Sequence, residues 1–306
     1  MPLPFDKRTL IMPQGTRFEE RTVVTRGDLI VADGGSTEFG FRTDGRIFLG
    51  EGVAVGGALW AAGDVRADLF CRLAGDVEAG GSCYLGEKTR VEGKLSVAGD
   101  LDVGDDVAIA DGFEAGGWIN IRNPIPMVVY VFLYLLQLMG QGKSEEVERI
   151  LQELETGDAD VPIAVSEVFF FLPPGSTLGL QNSVVKGNLF ASAECRILGN
   201  FAVEGNAVLG ARTSLHGALR SDGDVRLEDG ANVGGDLACR GVLAVGDGCR
   251  ILGNVTARRV EMHAGAKVEG TIQAREGIKF VSREMAQMQQ KVQDFREGRV
   301  EVQGIL

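Results

Sequence analysis

The sequence predicts an all-β fold with helical additions: two tandem parallel β-helices of about 18 residues per winding, each followed by a helical segment. Three observations predict it. The phrase CRILGNF at 195–201 returns as CRILGNV at 249–255, with TSLHGAL at 213–219 and ANVGGDL at 231–237 between them, so the step is 18 residues. The apolar residues of the winding 91–109 are Val91, Leu95, Val97, Leu101, Val103, Val107 and Ile109, in alternating gaps of four and two. Residues 9–29 align without a gap with 169–189, and this offset of 160 holds through 58–66 against 218–226.

The alternation has a direct geometric meaning. Residues at i and i+2 share one face of a strand, and the gap of four turns a corner. Three corners per winding describe a triangular prism whose inward columns are covered only when windings stack.

The chain divides accordingly into 1–123, a lead-in and first β-helix; 124–160, an apolar and then an amphipathic helix; 161–281, the second β-helix; and 282–306, an amphipathic helix and tail. The lead-in TLIMPQGTRFEERTVVTRGDL matches Pro13 with Pro173, Gly15 with Gly175, Gly27 with Gly187 and Leu29 with Leu189. First-half windings repeat as VAVGGAL (53–59), CRLAGDV (71–77) and TRVEGKL (89–95). A glycine column, Gly57, Gly75 and Gly93, then Gly199, Gly217, Gly235, Gly253 and Gly270, marks a corner where positive φ or close approach of rungs excludes a side chain. Asp111 holds that column in the last first-half rung and is expected in a left-handed conformation.

PIPMVVYVFLYLLQLMG (124–140) opens the first helical segment. Its run 127–139 would be a helix of about 20 Å, too short to span a bilayer. It carries no Lys or Arg, so burial against the β-helix or a second subunit is favoured over an interfacial membrane anchor. Val128, Phe132, Leu135 and Leu136 are its candidate partner or membrane contacts. SEEVERILQELE (144–155) follows, with Ser144 as N-cap and Val147, Ile150, Leu151 and Leu154 as its stripe. SREMAQMQQKVQDF (282–295) presents Met285, Met288, Val292 and Phe295.

In the second β-helix the columns are each of one chemical type: Cys195, Thr213, Ala231, Cys249 and Ala266; Ile197, Leu215, Val233, Ile251 and Val268; Phe201, Leu219, Leu237, Val255 and Ile272. Cys195 and Cys249 therefore read as small core residues rather than reactive thiols. Five cysteines without a CxxC pair fit a reducing, cytoplasmic compartment. A net charge of −12 argues against nucleic acid. The only histidines, His216 and His263, cannot supply three metal ligands in one chain. No metal, cofactor or catalytic residue is expected, although a hexapeptide-repeat acyltransferase using His216 or His263 shares the same period. Asp28, Asp64, Asp76 and their counterparts Asn188, Asp224 and Asp236 read as turn-bonding residues at rung edges.

The rungs RRVEMHAGAKVEGTIQA (258–274), EMHAGAKVEGTI above all, resemble the bactofilin family of prokaryotic polymer-forming cytoskeletal proteins. The resemblance implies a right-handed β-helix, nucleotide-independent end-to-end self-assembly, association with the inner face of the membrane and recruitment of envelope-associated proteins. The chain departs from the usual pattern of one β-helix between short flexible tails, because two are fused here and the expected helices after Asn123 and Ser282 would cap open rungs. The expected function is a non-enzymatic structural scaffold, with a non-polymerising membrane-proximal adaptor as the alternative.

Overall fold

The computed structural model of the protein describes residues 7–121 and 166–281. Its elements are all short strands, and no helix occurs among the described residues. The helical segments expected at 124–140, 144–155 and 282–295, with Val128, Phe132, Leu135 and Leu136, lie outside them.

The strands form three long sheets, one of 14 strands and two of 12, which are the three walls of the prism. Pairing between successive windings is parallel and in register at the 18-residue step, as in Val65 opposite Cys83, Leu73 opposite Val91 and Leu219 opposite Leu237. Late in the second half the step drops to 17, with Leu243 opposite Val260. The missing residue falls at the corner after Ala257, so the alternation of inward and outward side chains survives. Leu95, Leu101, Leu215, Leu237 and Ile251 are buried in one continuous core.

The glycine column is a column of close approach. A Cβ on Gly217 would overlap the Gly199 carbonyl, one on Gly235 would lie 2.7 Å from the Gly217 carbonyl carbon, and one on Gly253 would lie 2.5 Å from Asp236 Oδ1. Gly57, Gly75, Gly93 and Gly270 are equally tight against backbone or an Asp carboxylate. Of the eight, only Gly199 adopts positive φ, at 88°. Asp111 is not left-handed; Gly112 beside it takes that conformation, at φ 79°, which leaves Asp111 a conformation that tolerates its side chain.

Four of these glycines, Gly75, Gly199, Gly235 and Gly253, are followed by Asp or Asn, and the hydrogen bonds of those side chains explain the Gly-Asx phrase. Asp76 Oδ1 accepts a hydrogen bond from Lys94 N at 2.9 Å, Asn200 Oδ1 from Ala218 N at 2.9 Å, and Asp236 Oδ1 from Asn254 N at 2.7 Å. Asp64 and Asp224 accept in the same way from Ser82 N and Val242 N. Each Asx side chain reaches over the glycine of the next rung and satisfies a corner N–H that the ladder misses.

The two β-helices expected from the sequence are arms of a single solenoid. Along the 14-stranded sheet, hereafter sheet I, the first arm runs outward to one end and the second arm to the other, and the two lead-in strands lie exchanged between them. Thr9–Met12 pairs parallel with Asn188–Ala191 of the second arm, and Phe169–Leu172 pairs parallel with Asp28–Val31 of the first. The lead-ins meet each other antiparallel at Ile11 opposite Phe171, two positions that the 160-residue offset makes equivalent. A pseudo-two-fold axis therefore crosses the middle of sheet I. Its flanks match: Gly15 N donates to Ala193 O and Gly175 N to Asp33 O, both at 3.1 Å. Gly27 and Gly187 admit the exchanged strands, since a Cβ on either would overlap the carbonyl of Val168 or Arg8 respectively.

One charge reinforces the junction. Asp28, buried, accepts from Arg46 Nη2 at 2.5 Å, from Arg46 N at 3.1 Å and from Ser166 N at 2.9 Å. Burial pushes its carboxyl up, but the bonds from the Arg46 side chain and from the Ser166 and Arg46 backbone together outweigh burial and lower it. Asp28 thus binds fewer protons folded than unfolded. It stabilises the fold above the ordinary Asp pKa of about 3.9, and that contribution is lost as pH falls through the lower folded value. Asn188, its counterpart, makes the same corner bond to Asn206 N without charge. Asp28→Asn is therefore expected to lower Tm at pH 7, with the gap from wild type closing below about pH 4; a gap constant from pH 7 to 3 in thermal unfolding would contradict this.

Candidate functional site

The end rungs are the candidate site, because there, among the described residues, the inward columns stop with their last members exposed. At the first arm's end the column residues Ile119 and Ile121 are 48% and 65% exposed, whereas Leu101 and Val103, one rung in, are 0% and 9%. At the second arm's end Ile278 and Phe280 are 42% and 61% exposed above Val260 and Met262, which are buried. The two ends are the same place in the repeat: Ile278 and Phe280 correspond to Ile119 and Ile121, allowing for the shortened winding. Trp118, on the corner before Ile119, is also exposed. Each end presents an apolar triangular face ringed by edge strands, the arrangement that accepts another rung.

The side chains singled out for chemistry are placed otherwise. All five cysteines are buried and unpaired. Burial pushes the thiols of Cys71 and Cys239 up to about 11 and Cys83 to about 12, and raises Cys195 and Cys249 as well. Cys195 Sγ donates to Pro13 O and Cys249 Sγ to Glu228 O, the same backward bond that Thr213 makes to Ser192 O. The column holds small side chains, Ala231 and Ala266 among them, and its Cys and Thr members donate at the corner.

His216 lies exposed on the surface, with Nε2 3.3 Å from Ser214 Oγ. The sequence reads no residue as orienting a histidine, but Asp247 Oδ1 stands 2.9 Å from His263 Nδ1. Asp247 is one winding from Asp229, which bonds its backbone, so the pairing follows from rung stacking. The other ring nitrogen of His263 is buried, with no hydrogen-bond partner among the described residues. Among the described residues no group of three or more His, Cys, Asp or Glu could hold a metal ion.

Residues 180–292 match the family model described as bactofilin, polymer-forming cytoskeletal. The chain carries a bactofilin domain. That bactofilin match covers the second arm, from the strand Asn182–Val185 to beyond Ile278–Val281, and the first arm repeats its winding at the 160-residue offset. The bactofilin family is a structural, cytoskeletal one. No curated protein and no solved structure matches the chain.

Proposed function

We propose that this chain is a non-enzymatic scaffold that polymerises end to end through its outer rungs. The observation that carries the reading is the exposure of Ile119, Ile121, Ile278 and Phe280 directly above buried members of the same columns. A further rung stacked on either face would remove these side chains from water at about 25 cal/mol per Å² of apolar surface and would pair the edge strands. The bactofilin match, to a polymer-forming family, supports the same reading.

The junction adds a consequence. Both free ends are the outgoing ends of equivalent arms, so one kind of face meets another of the same kind and the polymer has no direction.

Electron microscopy of the purified chain over a concentration series, without nucleotide, tests the assembly. Wild type is expected to form filaments, and Ile121→Asp with Phe280→Asp single particles. Ile121→Asp alone leaves one competent end and is expected to stop at pairs joined through Phe280; single particles would show that unlike ends join. Uniform small wild-type particles at every concentration would overturn self-assembly and leave a discrete adaptor, whose test is pelleting with vesicles.

A further inference from the structure

The outward row of sheet I is apolar without a break across its middle, whereas the outward rows of the other two sheets intersperse apolar residues such as Trp60 and Val184 with charged and polar ones. Following the register from the first arm to the second, the outward residues are Phe48, Ile30, Phe171, Ile11, Phe190 and Val208, six in succession across the pseudo-two-fold axis. Arg66 and Arg226 bound the stripe symmetrically, one strand beyond at each side. The corresponding rows elsewhere carry residues such as Arg72, Arg90 and Arg220 on one face and Ser214, Asn232 and Arg250 on the other. Alternation along Phe169–Leu172 turns Phe171 away from the core, yet it is only 5% exposed, and the other five are half-buried. A row this apolar and continuous on one wall of a prism is a docking surface.

The course of the chain identifies what docks there. The chain leaves sheet I at Ile121, the outermost strand of the first arm, and rejoins the same sheet at Phe169, next to the axis. Six strand steps separate these two strands, about 29 Å at the usual spacing. The segment between them opens with PIPMVVYVFLYLLQLMG at 124–140, which as a helix would be about 25 Å long. The stripe itself, from Phe48 to Val208, runs five strand steps, about 24 Å, so an apolar run of matching length lies in the stretch of chain that leaves this sheet and returns to it.

We propose that the run 124–140 of the same chain covers this stripe, with Val128, Phe132, Leu135 and Leu136 as its contact residues, in place of a second copy or a membrane. The inference goes beyond end-to-end assembly and does not depend on it, since the stripe lies on a wall and the assembly faces lie at the ends. It also explains why so apolar a segment needs no cationic face: its partner is uncharged except at Arg66 and Arg226.

Thiol labelling of the full chain tests it. Single variants Val208→Cys and Phe48→Cys on the stripe are compared with Arg220→Cys on another wall, against a background of buried thiols. Across a dilution series without lipid, the stripe thiols are expected to react at least about tenfold more slowly than the control, because labelling requires the segment to lift. Adding Phe132→Asp and Leu135→Asp is expected to bring the stripe rate to that of Arg220→Cys with an unchanged circular dichroism spectrum. Stripe thiols that react as fast as the control would overturn the proposal. So would protection that fades on dilution, which marks a second copy, or protection that appears only with phosphatidylglycerol vesicles, which marks a lipid surface.

Discussion

Phe18→Ala is expected to destabilise the protein by about 3–5 kcal/mol, the cost of emptying a buried aromatic site. Phe18 is a lead-in residue that touches both arms. Its strand, Arg17–Glu19, pairs with Thr22–Thr25 on one side and with Arg196 of the second arm on the other. Its ring meets Phe39 of the first arm edge-on at 5.2 Å and Phe201 of the second at 6.3 Å. Truncation therefore weakens the interface through which the arms communicate, as well as each arm. In a solenoid, cooperativity is carried by contacts between neighbouring rungs, so one weakened plane divides the unfolding unit. Urea unfolding followed by circular dichroism should show a single transition for wild type and two for Phe18→Ala. Phe70→Ala, at an exposed position, should cost about 0.5 kcal/mol or less. A loss below about 1 kcal/mol at Phe18, with a single transition retained, would mean that the junction is not a shared core.

Gly217→Ala is the second large effect, expected to exceed about 2 kcal/mol. The added methyl has no room: it would overlap the Gly199 carbonyl, which is backbone one winding below and cannot swing aside. Relief requires prising two rungs apart, with loss of the ladder bonds nearby. Gly234, one winding on and beside the column residue Gly235, supplies the control. A Cβ there would meet its nearest neighbour, Leu215 O, at 3.4 Å, and its φ is not positive, so Gly234→Ala should be neutral or slightly stabilising, by up to about 0.5 kcal/mol, through reduced freedom of the unfolded chain. Thermal unfolding of the pair discriminates steric crowding from a general preference for glycine; equal losses would reject the crowding account.

What was legible in the sequence follows from what repeats. The 18-residue step with gaps of four and two fixes which side chains face inward, because only one winding of three short strands satisfies it, and Leu95, Leu101 and Leu237 are buried as that logic requires. The glycine column was recognisable as a corner, but its cause was not: close approach and positive φ leave the same letter, and only the distances separate them. The junction was hidden for a different reason. Two lead-ins with the same pattern can pair with either arm at no local cost, so alignment reveals that they are equivalent without revealing the exchange. A clue stood in the four polar residues Glu19 to Thr22 between Phe18 and Val23, where the chain turns back through Glu20 and Arg21 with Glu19 opposite Thr22 and Glu20 at φ 32°. That reversal aims the lead-in away from its own arm. Open end rungs were expected from the stacked windings, but their likeness to each other depends on the arms running outward from one centre, which no local pattern encodes.

The exchanged lead-ins also bear on tension. Rungs of a solenoid are held to one another by hydrogen bonds that point along its axis, so a pull on the two ends would be expected to peel the weakest plane, and an interface between two separately wound arms would be that plane. Here the backbone itself crosses it twice, once from Thr9–Met12 on the second arm to Asp28–Val31 on the first, and once from Phe169–Leu172 on the first to Asn188–Ala191 on the second. A load carried through the middle of the molecule is thus borne by two lengths of covalent chain that cross like a pair of clasped hands, and a filament of such units would part between molecules before it parted within one.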